Sequence, residues 1–82
     1  MLDVEVYTQP NCQPCKAVKG WFDRHGVTYT EVDVRKNSDA LQRIFDMGYR
    51  STPVVIVWDS SREVRDSWQG LNMKKMKHLL WL

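Results

Sequence analysis

The continuous apolar run Pro53-Val54-Val55-Ile56-Val57-Trp58 is the strongest constraint on how this chain can fold. A strand with one wet face alternates apolar and polar residues, whereas an unbroken, mostly β-branched run needs cover on both faces. A sheet with this strand near its centre must carry further elements above and below it. In a chain of 82 residues those elements have to be short, because a domain of this size has only a small core.

The flanking patterns supply them. Leu2, Val4 and Val6 alternate with Asp3, Glu5 and Tyr7 and read as a strand, followed by turn chemistry in Thr8-Gln9-Pro10-Asn11. A helix should open beside Cys12, bury Val18, Trp21 and Phe22, and stop at Gly26 after His25. Residues 27–34 are rich in β-branched and aromatic side chains, so strand, helix and strand form a right-handed parallel unit. Asn37-Ser38-Asp39 can cap a second helix that places Leu41, Ile44 and Phe45 on one face and ends at Gly48. Asp59-Ser60-Ser61 turns the apolar run back into Glu63–Trp68, a polar alternating segment suited to a sheet edge. Beyond Gly70, the spacing of Leu71, Met73, Met76, Leu79 and Leu80 predicts a third helix running to the C-terminus. The expected architecture is α/β, ordered βαβαββα over one domain of residues 1–82. Its four-stranded mixed sheet is flanked by helices on both faces. Trp21, Trp58, Trp81, Met47, Met73 and Met76 are assigned to packing.

Charge and hydropathy exclude several functions. A formal charge of +2 with acids and bases interleaved leaves no nucleic-acid footprint, and Lys74, Lys75, Lys77 and His78 read as the solvated end of a helix. No stretch approaches a membrane span, and Met1-Leu2-Asp3 lacks the basic and apolar regions of a leader. A monomer in the reducing cytoplasm is expected.

The two cysteines stand at Cys12-Gln13-Pro14-Cys15, where strand gives way to helix. Pro14 suits the first helical turn, whose N–H groups have no intrahelical acceptor. Those groups and the positive end of the helix dipole favour a thiolate at Cys12, making it the exposed, low-pKa nucleophile, with Cys15 one turn on as the resolving thiol. A bridge closing so short a loop constrains the unfolded chain little, so exchange explains the pair better than stability. Zinc is the main rival, since C-x-x-C thiolates can chelate, but there is no second pair and His25 and His78 stand at the wrong spacing. No metal and no bound cofactor are expected.

Three ordered segments resemble the glutaredoxin-like branch of the thioredoxin fold: 7–15 with the dithiol, 48–55 with Thr52-Pro53, and Trp68-Gln69-Gly70-Leu71. NrdH-type redoxins look most similar. The resemblance implies a small dithiol–disulfide oxidoreductase with catalytic Cys12 and Cys15, and a cis Pro53 beside them that lets the Thr52 backbone pair with an extended substrate. Thr52, Pro53, Trp68 and Gly70 are then partner-binding, and Tyr7, Gln13, Pro14 and Lys16 supporting. Tyr7 would pack beside the dithiol or simply within its strand, and Lys16 would stabilise the thiolate or stay solvated.

The same resemblance implies the partners. Glutaredoxins take electrons from glutathione through charged contacts, yet a basic position three residues before the nucleophile is the neutral Gln9 here. Gln69-Gly70-Leu71-Asn72 replaces the usual Gly-Gly and acidic residue. Trp68-x-Gly70 followed by an apolar residue matches the NrdH-type pattern, although Asn72-Met73 replaces its Arg-Pro. The expected donor is therefore a thioredoxin reductase, a flavoenzyme using NADPH, and the acceptor a ribonucleotide reductase or another protein disulfide. The alternatives are a glutathione-dependent glutaredoxin, an iron–sulfur carrier like the monothiol glutaredoxins, and a non-enzymatic binding subunit with a structural disulfide.

Overall fold

The computed structural model describes residues 2–81; Met1 and Leu82 lie outside the described residues. The elements are β1 (Asp3–Thr8), α1 (Gln13–Arg24), β2 (Thr30–Asp33), α2 (Ser38–Asp46), β3 (Val54–Trp58), β4 (Val64–Gln69) and α3 (Met73–Leu79), in the predicted order. Strand order across the sheet is β2-β1-β3-β4. β1 and β2 run parallel, and β3 is antiparallel to both β1 and β4.

The apolar run therefore lies in the interior of the sheet. Because side chains alternate between faces, it serves two cores at once. Val55 and Val57 join Val4, Val6, Val18, Trp21, Phe22, Met76 and Leu79 beneath α1 and α3. Val54 and Ile56 join Tyr7, Val34, Ala40 and Ile44 beneath α2. All four of these β3 side chains are completely buried. Each contributes roughly 1.5–3 kcal/mol relative to exposure.

The ends of the elements follow local chemistry. Gly26 has φ +69°, a left-handed conformation that terminates α1 while the Val27 N–H donates back to the Phe22 carbonyl at 2.9 Å. That backbone donor is thereby taken from the sheet, and β2 is shorter than the predicted 27–34. Val27 and Tyr29 still pack against the α1 core from outside the ladder. At α2, the Asn37 side-chain oxygen accepts from the Ala40 N–H at 3.0 Å, as a cap should.

Three packing expectations change. On α2 the inward row is Ala40 and Ile44, one turn apart, with Leu41 half-buried; Phe45 is rotated outward, 40% exposed under the Arg50 guanidinium. α3 buries only Met76 and Leu79, and it stops at Leu79 rather than continuing to the C-terminus. Leu71, Met73 and Leu80 are exposed, and Trp81, past the last helical residue, is 86% exposed and plays no packing role. Trp68 on edge strand β4 points the other way, into the core. Among the described residues no helix is long and apolar enough to cross a membrane.

Replacing Asn37 by Ala should lower the unfolding free energy by about 1 kcal/mol, with Ser at the same position recovering most of it. Urea unfolding midpoints of the three proteins check this.

Candidate active site

The last residue of β1, Thr8, is buried, and the loop after it turns at Asn11, whose φ of +59° is a conformation asparagine tolerates better than most side chains. Cys12 thereby arrives extended at the N-cap of α1. Its sulfur does what a capping oxygen ordinarily does, accepting the Cys15 N–H at 3.2 Å, while its carbonyl accepts the Lys16 N–H at 3.2 Å. Pro14 falls in the first turn, where it removes no helical hydrogen bond. Cys12 and Cys15 are joined as a disulfide, their Cα atoms 5.2 Å apart.

Only a sliver of Cys12, 8%, meets solvent, against 1% of Cys15. Cys12, expected to be exposed, is therefore nearly buried in the oxidised protein, though more accessible than Cys15. Gln9, Gln13, Pro14 and Lys16 are exposed around it.

Thr52 reaches the same sulfur from a distant part of the sequence. The Thr52 hydroxyl donates to Cys12 Sγ at 3.6 Å, and the Thr52 carbonyl oxygen lies 3.8 Å from that sulfur. The Thr52-Pro53 peptide is cis and Pro53 is buried. Behind it, the Gly70 N–H donates to the Pro53 carbonyl at 2.8 Å, with Gly70 at φ +79°, where any other residue would be strained. The Gln69 side-chain oxygen accepts both the Arg50 N–H at 3.0 Å and the Ser51 N–H at 3.3 Å. In the sequence, Gln69 stands out only as a departure from a glycine pair. No local signal ties the amide of an edge strand to a loop some 18 residues earlier.

Two residues named from the sequence are buried in the cores. Tyr7 packs in the α2-side cluster, the strand packing that was one of its two expected roles; its hydroxyl donates to Glu5 Oε1 at 2.8 Å and accepts from Arg43 Nη1 at 2.7 Å. Burial, reinforced by Glu5 and opposed by Arg43, raises its pKa above the ordinary tyrosine value. Trp68 is 3% exposed in the α1-side core, so its indole offers no partner surface, and its Nε1 has no hydrogen-bond partner among the described residues. Both follow from the parity of their strands, where one residue of register decides which face a side chain enters.

A cluster not anticipated from sequence braces the site. The Thr8 hydroxyl donates to Glu31 Oε2 at 3.0 Å and Lys19 Nζ donates to the same oxygen at 2.7 Å, tying the end of β1 to β2 and to α1. The Lys19 hydrogen bond, opposed by partial burial and aided by Thr8, holds the Glu31 carboxyl below its usual range. Neither histidine approaches the sulfurs as a ligand: His25 stacks on Trp21 with ring centres 3.8 Å apart, and His78 lies on α3.

A family model described as glutaredoxin matches residues 4–61, from β1 through the turn after β3, and so includes both cysteines and Thr52-Pro53. The chain belongs to the glutaredoxin family. Within it, the glutaredoxin-like protein NrdH of Lactococcus lactis subsp. cremoris is 33% identical over 52 residues, 63% of this chain and 72% of that protein. The NrdH-redoxin of Escherichia coli superposes with a TM-score of 0.82 at 25% identity, covering 94% of this chain and 93% of its own. The thioredoxin-like protein BC3987 superposes at 0.74 with 37% identity, over 94% and 99%. The glutaredoxin-family chain is thus a thiol–disulfide oxidoreductase of NrdH kind on a thioredoxin fold.

Because the Glu31 carboxyl is held below its unfolded value, its contribution to stability is present above the ordinary glutamate range and fades as pH falls through the lowered value. Glu31→Gln should destabilise the oxidised protein by a few tenths of a kcal/mol at pH 7, a small amount because the pair is partly exposed. The deficit should shrink toward pH 3. Urea midpoints of both proteins at the two pH values measure it.

Proposed function

We propose that this glutaredoxin-family protein carries electrons from a thioredoxin reductase, and hence indirectly from NADPH, to the disulfide of a protein acceptor, a ribonucleotide reductase foremost. The observation that carries the choice of partners is an exposed apolar side chain next to the loop that faces Cys12. Leu71, 48% exposed, directly follows the Gly70 that bonds Pro53, and exposed, neutral Gln9 precedes the dithiol. Glutathione offers two carboxylates and an amine, which call for charged or backbone partners. An exposed apolar residue at that position suits the apolar centre of a protein–protein contact instead. The thioredoxin-like activity profile stated for the E. coli NrdH-redoxin supports the same reading.

In the reduced protein, Cys12 is the attacking sulfur. The Cys15 N–H, the Thr52 hydroxyl and the N-terminus of α1 all bear on it, and each stabilises negative charge there. The thiolate attacks one sulfur of the partner disulfide, forming a mixed disulfide and releasing the other sulfur as a thiolate that takes a proton. Cys15, one turn along, loses its proton and attacks Cys12. The Cys12–Cys15 bridge forms as the mixed disulfide breaks, and the partner leaves as a dithiol carrying two electrons and two protons. The flavoenzyme then returns two electrons to the bridge. Thr52 offers its backbone to an extended segment of the partner beside Cys12, where Pro53 has no N–H to compete. Such a cycle belongs in the reducing cytoplasm.

Cys12→Ser should abolish turnover, and Cys15→Ser should accumulate a mixed disulfide visible as a mass increase equal to the acceptor. NADPH consumption with a protein disulfide should be fast with thioredoxin reductase and slow with glutathione plus glutathione reductase. Activity confined to the glutathione system would instead assign glutathione as donor.

A further inference from the structure

The loop that presents Thr52 to the sulfur is tied to α2 at its start, where the Tyr49 N–H donates to the Ile44 carbonyl at 3.0 Å and Arg50 Nη1 to the Phe45 carbonyl at 3.1 Å. Arg50 and Ser51 are exposed and lie between α2 and β3, outside both elements, and among the described residues their N–H groups have no strand partner. What they meet is a single side-chain atom. Gln69 Oε1, at the last residue of edge strand β4, accepts the Arg50 N–H at 3.0 Å and the Ser51 N–H at 3.3 Å. One residue further on, the Gly70 N–H binds the Pro53 carbonyl at 2.8 Å. The strand end thus grips the loop on both sides of Thr52, whose hydroxyl and carbonyl face Cys12 Sγ at 3.6 and 3.8 Å. Gly70 makes its bond through the backbone, which leaves no side chain to test. Gln69 makes its two bonds through an amide oxygen with two lone pairs, which an apolar side chain cannot supply.

We infer that Gln69 is a positioning residue for partner recognition: by pinning the N–H groups of residues 50 and 51, it pre-organises Thr52 as the strip on which a protein disulfide lies down. The inference rests on the proposed use of Thr52 for an extended partner segment. Holding the loop beforehand removes ordering entropy from the binding step, so its loss appears in substrate affinity before it appears in chemistry. The same two bonds also occupy N–H groups that would otherwise stand open to an anionic ligand. A small disulfide, too short to lie along residues 50–53, should gain nothing from the grip.

The test compares Gln69→Ala and Gln69→Glu in the full chain, the carboxylate of the second being able to accept the same two bonds. Gln69→Ala should raise KM for insulin disulfides by about threefold to tenfold, the range expected for losing one or two modest hydrogen bonds, with kcat within twofold. The rate with the small aromatic disulfide 5,5′-dithiobis(2-nitrobenzoate) should move by less than twofold. Independently of turnover, amide hydrogen exchange at Arg50 and Ser51 should accelerate in Gln69→Ala and stay slow in Gln69→Glu. An unchanged KM for insulin, a parallel loss with both disulfides, or unchanged exchange in Gln69→Ala would overturn the assignment. If the unsubstituted protein fails to reduce insulin, the proposed partner class falls instead, and exchange alone then decides whether Gln69 pins the loop.

Discussion

Antiparallel pairing of β1 with β3 is the constraint from which the site follows. Tyr7 pairs with Val54, so the end of β1 and the start of β3 lie side by side at one end of the central strands. The chain leaving β1 enters the dithiol loop, and the chain about to enter β3 passes through Thr52-Pro53. Cys12 and Thr52, 40 residues apart in sequence, therefore meet without either loop having to reach far. The pairing in turn holds because β3 buries Val55 and Val57 on one face and Val54 and Ile56 on the other. A slip of β3 by one residue would exchange those faces and move Thr52 relative to the dithiol loop.

Around that junction the sulfur is surrounded by donors rather than by charges. The Cys15 N–H comes from the helix the sulfur itself caps, and the Thr52 hydroxyl from the opposing loop. Lys16, the nearest cation in sequence, contributes its backbone N–H to the Cys12 carbonyl while the residue stays exposed. Fixed dipoles of this kind are little screened by salt compared with surface charges, so they keep their effect when a partner covers the site. The supporting charges stand one layer back, in the Lys19–Glu31 pair that ties α1 to the sheet.

Much of this was legible in the sequence because it depends on local chemistry. The apolar run of β3, the Asn37 cap, Gly26 as a stop, and the dithiol at a strand-to-helix boundary each declare themselves within a few residues. The errors share a different origin. Phe45, Trp68 and Trp81 are large apolar side chains whose fate depends on which face or how many helical turns the tertiary structure uses. On α2 the small Ala40 takes the inward position, which lets the helix approach the sheet and leaves Phe45 outside. For Tyr7 the resemblance and the strand pattern offered two places, and alternation along β1 decides for packing beneath α2.

From its sequence alone this chain was committed to a strand–helix boundary carrying two thiols, since turn formation, capping and periodic burial act over a few residues. Which groups would surround the first thiol was a matter for tertiary structure. The contacts of Thr52 with Cys12, of Gln69 with Arg50 and Ser51, and of Thr8 and Lys19 with Glu31 join distant segments, and only the register and twist of the sheet bring such segments within hydrogen-bonding distance.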